Sequence, residues 1–246
     1  MRRALLLCVC IGACSAGCTC EEPRTGVPLY RAPHVTEAPV IDGRLDDRAW
    51  REAPVTEAFV NTMTGAPAEP RTTARIAWDD AHLYVAFEVE DDFLKSDLEG
   101  HDPHLWEQDT VEIMVDPGGD GRSYFELQLS PTGQIFDTRY DSRRVPQPFG
   151  HTSWDSGMRG ASVARGTPND DERDEGYVAE MAIPWSAFAH GSPPASRPEA
   201  GEEWRIALYV LDARPNGGQG GVGWSPPLIG DFHVPERFGR VVFEGR

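Results

Sequence analysis

Cysteine is missing from residue 21 to the C-terminus; all five cysteines, Cys8, Cys10, Cys14, Cys18 and Cys20, fall in the first twenty residues. A disulfide framework or a zinc site distributes its cysteines through the fold, so neither belongs to the body of this chain. Lysine is nearly missing too, with Lys95 alone, and the 23 basic residues face 40 acidic ones for a net charge of −17. An acidic surface of that size repels phosphate backbones, which removes nucleic acid as a partner. There is no nucleophile elbow, P-loop, dinucleotide fingerprint or HExxH-type metal motif. Helical periodicity is scarce, and no apolar run is long enough to span a bilayer.

What is present starts with an address. Met1-Arg2-Arg3 leads into apolar residues 4–13 and then small residues, the pattern of an export signal. Ile11-Gly12-Ala13-Cys14 and Ser15-Ala16-Gly17-Cys18 both resemble the small-residue-then-cysteine box of bacterial lipoproteins. Cys14 has the better apolar residue three before it, and Cys18 gives the more usual signal length. An ordinary cleaved signal is the alternative. The expectation is a lipoprotein-type signal over 1–18, a polar, proline-bearing linker over 19–33, and one domain over 34–246. Neither cysteine is followed by Asp, which fits an outer-membrane lipoprotein touching the membrane only through its lipid. Losing Arg2 and Arg3 with the signal takes the charge to about −19.

The domain reads as strands. In 82–90, Leu83, Val85, Phe87 and Val89 share one face. In 109–116, Val111, Ile113 and Val115 point inward and Thr110, Glu112 and Met114 outward. In 123–130, Phe125, Leu127 and Leu129 point inward, against Tyr124, Glu126 and Gln128. Further strands are expected at 133–140, 176–183, 203–212 and 240–244, with weaker ones at 71–79 and 55–60. Single helical turns are expected at 45–52 and 184–189. With 25 glycines and 21 prolines for turns, this pattern predicts an all-β fold, an antiparallel, jelly-roll-like β-sandwich.

Few residues stand out for chemistry. His101 and His104 form a loop pair that reads as a metal site or as a solvated loop. Asp91 and Asp92, followed by Asp97, Glu99 and Asp102, are oxygen-rich enough for Ca²⁺ but lack the spacing of a calcium loop. Glu112 and Glu126 share the non-core face of two adjacent strands, where a glycosidase carboxylate pair or merely exposed side chains would both sit. Trp106, in a polar loop before a strand, serves as a stacking platform or as a lid on the core. The other six tryptophans are assigned mainly to packing.

The run Trp106-Glu107-Gln108-Asp109-Thr110-Val111-Glu112-Ile113 has company. Before it come Pro39-Val40-Ile41-Asp42-Gly43, Leu45-Asp46, Trp50, Trp78-Asp79-Asp80 and Leu83-Tyr84-Val85. After it come Gly133 through Asp137, Glu180 through Trp185, and Pro235-Glu236-Arg237-Phe238-Gly239. In that order, across residues 34–246, the chain resembles carbohydrate-binding module family 9. The resemblance implies a sandwich that binds sugars non-covalently, with Ca²⁺ as structural support. It puts one clamping aromatic on Trp106 and the hydroxyl-taking carboxylate on Glu112. The second clamping tryptophan of the family falls on Phe232, followed by His233, and a sugar-holding arginine falls on Glu126. Those are two departures in one site.

By strand parity Gln128 and Tyr209 line the same groove, since an indole face suits the C–H side of a pyranose and carboxylates or amides take its hydroxyls. The favoured expectation is therefore a non-catalytic carbohydrate-binding lipoprotein. Its alternatives are a structural or interaction sandwich that has lost its sugar site, a glycoside hydrolase, or a haem domain ligated by Met114 and His233.

Overall fold

A computed structural model describes residues 22–192 and 194–245. The predicted signal and both candidate lipidation sites, Cys14 and Cys18, lie outside the described residues. No helix among the described residues is long and apolar enough to cross a membrane.

Among the described residues twelve strands run in chain order. They are β1 (Leu29–Ala32), β2 (Val60–Asn61), β3 (Arg71–Trp78), β4 (His82–Glu90), β5 (Thr110–Asp116) and β6 (Arg122–Leu129), then β7 (Ile135–Ser142), β8 (Arg159–Arg165), β9 (Gly176–Pro184), β10 (Glu203–Ala213), β11 (Gln219–Gly223) and β12 (Gly239–Phe243). Among the described residues the one α-helix, α1 (Arg48–Glu52), is a little over a turn long. Eight strands form one sheet in the order β1-β12-β10-β5-β6-β7, with β11 joining β10 and β2; the other four form a second sheet, β3-β4-β9-β8. Pairing is antiparallel except where β1 lies parallel to β12. This is the predicted sandwich.

Alternation decides which faces meet. Val111, Ile113, Val115, Phe125, Leu127, Leu129, Ile206, Leu208 and Val210 of the larger sheet pack on Ile76, Val85, Phe87, Met181 and Ile183 of the smaller one in a single apolar core. Trp78, Trp185 and Trp204 fill one end with Phe188 and Phe243. All six tryptophans assigned to packing are buried; Trp106 is half-exposed.

The structure departs from the sequence expectation in four places. Three strands were not anticipated: β8 and β11, whose small and polar residues hide the period, and β1, inside the segment expected to be a linker. Residues 55–60 form a strand only from Val60, because the rest runs as loop against β3. The turn over 184–189 is a 3-10 turn, Trp185–His190. Most consequentially, the outer face of the larger sheet is not solvated: every residue of β5 is buried, polar ones included. The loops carrying Trp106, Phe149 and Phe232 explain this cover.

Candidate functional site

Register places the candidate residues in one line across that outer face. Gly223 on β11 pairs with Tyr209 on β10, Tyr209 with Glu112 on β5, Glu112 with Gln128 on β6, and Gln128 with Phe136 on β7. Adjacent strands lie about 4.8 Å apart, so Tyr209 and Phe136, three strands apart, bracket roughly 14 Å. An aromatic ring from a loop closes each end. Phe232 stacks on Tyr209, centroids 4.4 Å apart at 28°. Trp106 meets Phe136 edge-on at 5.0 Å, with His104 stacked on its indole at 4.4 Å and Phe149 at 5.0 Å. A Cβ at Gly223 would strike the Tyr209 ring at 2.6 Å, so only glycine lets that ring lie flat over β11.

The floor between the rings is polar and sealed. Gln128 Nε2 donates to Glu112 Oε2 at 2.8 Å and to Glu126 Oε1 at 2.7 Å. Glu112 Oε1, Glu126 Oε2, Gln128 Oε1 and the Tyr209 hydroxyl are buried without a hydrogen-bond partner. Glu112 and Glu126 are 2% and 4% exposed, which corrects the expectation that they stand on a solvated face. Burial, then the charge of Glu126, pushes Glu112 well above the usual carboxylate range, and burial pushes Glu126 up to about 7.

His233 backs this floor. Its Nδ1 lies 2.8 Å from the Tyr124 hydroxyl and its Nε2 lies 3.6 Å from Glu126 Oε2. Burial pushes its pKa down to about 3, so the ring is neutral at pH 7. Met114 packs among Tyr124, Tyr140, Ala207, Tyr209 and Phe238. With His233 engaged at Nδ1 and turned to a carboxylate at Nε2, these two side chains are used as packing and as floor, and a haem reading gains nothing from them.

The oxygen-rich stretch resolves differently from expectation. Asp91 joins not Asp92 but Asp109 and Asp212, with one carboxylate oxygen from each within 4.8 Å of the others. Asp92 is exposed and faces Arg173 at 3.5 Å. Asp91 Oδ1 accepts from the Phe93 amide and Asp109 accepts from the amides of Lys95 and Ala213, while Asp91 Oδ2 is buried without a partner. Burial, then neighbouring backbone donors and like charges, leaves Asp91 near 7 and Asp109 near 8. An orphaned carboxylate oxygen inside a buried trio of oxygens suits a hard divalent cation such as Ca²⁺. A cleft of about 1320 Å³ opens beside Asp91 and Asp212. His101 and His104 do not form a pair: His104 is spent on Trp106, and His101 is exposed.

Of the seven residues the sequence singles out for carbohydrate, the structure brings Trp106, Glu112, Gln128, Tyr209 and Phe232 into one row and sets Glu126 and His233 beside it; sequence reasoning is incomplete elsewhere. It missed Phe136, which strand parity would have found, and Phe149, which carries no sequence signal, and it read His104 only as a metal ligand or a solvated loop residue where the structure stacks it on Trp106. It also missed Asp109 and Asp212, at the ends of two strands that only the sheet places side by side.

Comparison with known proteins agrees with this fold. The pattern of the carbohydrate family 9 binding domain-like family matches residues 41–246. Exoglucanase XynX of Acetivibrio thermocellus is 32% identical over 222 residues, 89% of this chain but 18% of that enzyme. Endo-1,4-beta-xylanase A of Thermoanaerobacterium saccharolyticum is 30% identical over 85% of the chain and 16% of its own length. The chain therefore spans under a fifth of these relatives. A family 9 carbohydrate-binding module of Caldicellulosiruptor kristjanssonii, solved with cellotriose, superposes with a TM-score of 0.59 at 20% identity, covering 89% of this chain and 94% of that one. A Bacteroides uniformis protein reaches 0.71 at 20% identity, covering 89% and 100%. At these identities the structural matches bear on the fold.

Proposed function

The chain belongs to the carbohydrate family 9 binding domain-like family, and on that footing we propose that it binds carbohydrate without transforming it. In this reading a sugar lies between Trp106 and Phe232, over Glu112 and Gln128, with Tyr209 backing Phe232. One observation carries it: two half-exposed aromatic rings end a row whose floor holds buried, unpartnered polar atoms. Such an atom costs roughly 1–3 kcal/mol when left unsatisfied, and sugar hydroxyls would satisfy it. The rings are the outermost members of the row, so a ligand meets them first. Cellotriose and glucose, the ligands of the C. kristjanssonii module, are the first to try. The hydrolytic activities of the exoglucanase and xylanase relatives are not carried over, because this chain spans so little of their length.

We also propose that Asp91, Asp109 and Asp212 hold a structural Ca²⁺. The ion would neutralise Asp91 and Asp109, join Asp212, which also pairs with Arg214 at 3.0 Å, and tie the ends of β4, β5 and β10 together. Export and anchoring through Cys14 or Cys18 at the outer membrane complete the reading, resting on the N-terminal pattern alone.

Calorimetric titration of the chain from residue 22 onward with cellotriose and glucose, with and without EDTA, tests both parts. Saturable binding that Trp106→Ala weakens at least tenfold is expected, with a Tm that EDTA lowers and Ca²⁺ restores. Binding unchanged in Trp106→Ala sinks the stacking role. A Tm indifferent to EDTA sinks the calcium site.

A further inference from the structure

The floor of the row is short of hydrogen-bond donors. Of the four buried atoms without a partner, Glu112 Oε1, Glu126 Oε2 and Gln128 Oε1 can only accept unless a carboxyl is protonated, and the Tyr209 hydroxyl alone has a proton of its own. The single amide group that reaches the floor, Gln128 Nε2, is already shared between Glu112 and Glu126. The cations nearby are committed elsewhere. Arg144 Nε and Nη2 both donate to Asp231 Oδ1, at 3.0 and 2.8 Å. Arg237 Nε and Nη2 both donate to the Pro226 carbonyl, at 3.2 and 3.1 Å. His233 has its Nδ1 on the Tyr124 hydroxyl, and Tyr124 in turn accepts from the Arg144 amide. Two buried carboxyl groups therefore face the site with no protein cation within hydrogen-bond reach; besides Gln128, Glu126 has only the Tyr140 hydroxyl bonded to it and the neutral His233 ring at 3.6 Å.

A neutral sugar brings hydroxyls, each as ready to accept as to donate. A ligand that brings a protonated amine supplies up to three donors and the missing charge at one point. We infer that the sugar this site is built for is an amino sugar with a free amine, its ammonium seated between Glu112 and Glu126 while its ring lies against the aromatic ends of the row. The inference rests on the carbohydrate-binding reading above and narrows it to a substrate class, the deacetylated hexosamines and their β-linked oligomers. Charge-assisted hydrogen bonds are about twice as strong as neutral ones, so a preference of roughly tenfold or more over the matching neutral sugar is expected.

Cellotriose and fully deacetylated chitotriose form the clean pair, since they differ in chemistry only by a hydroxyl or an ammonium at each C2. Both are titrated into the wild-type chain, and again into Glu126→Gln, which keeps the side chain's shape and cannot ionise when the ammonium arrives. The expected result is tighter binding of the amino sugar to the wild type. That preference should shrink in Glu126→Gln and weaken with added salt, while cellotriose affinity is little affected by salt. Equal or tighter binding of cellotriose to the wild type overturns the inference and leaves carbohydrate binding standing; because it needs no variant, it holds even if Glu126→Gln folds poorly. A preference that survives intact in a folded Glu126→Gln also overturns it. Binding of neither sugar to a chain with a cooperative melt overturns both readings.

Discussion

Glu126 carries a charge question that pH can answer. Burial raises its carboxyl to about 7, so between about pH 4.5 and 7 the folded chain keeps a proton that the unfolded chain releases. Stability contributed at this position therefore falls as pH rises through that window. His233 works in the opposite direction, because its depressed pKa makes the unfolded chain the one that takes a proton below about 6.5. The wild-type profile mixes these two with the other buried carboxyls, and the difference between proteins reports Glu126 together with its effect on Glu112. The Tm of Glu126→Gln relative to wild type should climb steadily from pH 4.5 to 7.5; a flat difference would show that Glu126 is ionised throughout. The type and face of Glu112, Glu126 and Gln128 were legible from period-two alternation. Their burial was not, because the covering rings come from loops that are distant in the chain.

Among the elements, β9 holds the N-terminal segment through one side chain. Glu180 Oε2 accepts from the amides of Asp42, Gly43 and Arg44 at 3.0, 2.5 and 3.1 Å, and its Oε1 accepts from Trp50 Nε1 at 2.6 Å. Those donors include part of the Pro39-to-Gly43 run and Trp50, quoted above as separate signatures; one carboxylate gathers them. Gly43 adopts a φ of 82° and a Cβ there would collide with Val163, so the turn that aims the three amides requires glycine. Glu180→Gln replaces an acceptor oxygen by an NH₂ group facing donors. It should cost about 2–4 kcal/mol, read as a lower urea midpoint. A loss below about 0.5 kcal/mol would mean that the segment is held by its apolar contacts, such as Trp50 and Ala49 against Tyr84 and Ala182.

For the whole molecule, the domain begins earlier than its sequence signatures suggest. Leu29–Ala32 adds a parallel strand to β12. Tyr30 is buried; its hydroxyl donates to the Pro54 carbonyl at 2.5 Å and accepts from the Ile76 amide at 3.0 Å. It thereby ties the edge of the larger sheet to β3 of the smaller. A chain starting at residue 34 loses that strand and should melt roughly 5–10 °C below one starting at residue 22. Equal melting temperatures would show β1 to be dispensable. The strand escaped sequence reasoning because four residues between prolines and glycine carry too little period to register, whereas β4, β5, β6 and β10, with seven or more alternating residues, were all anticipated.

The sequence by itself determined the sandwich, since alternation over long strands settles which side chains must leave water, and turn residues settle where each strand stops. It also placed Glu112, Gln128 and Tyr209 on the non-core face, because strand parity is local. Tertiary structure alone decided what that face is. Register aligned Tyr209, Glu112, Gln128 and Phe136 across four strands, and loops from three parts of the chain roofed them, turning an exposed acidic face into a sealed, donor-poor floor. The same long-range pairing brought Asp109 and Asp212 to Asp91. Part of the negative charge that first spoke only of excluded partners is thus collected at two buried places, where the low dielectric makes it costly and gives a bound cation or sugar something to stabilise.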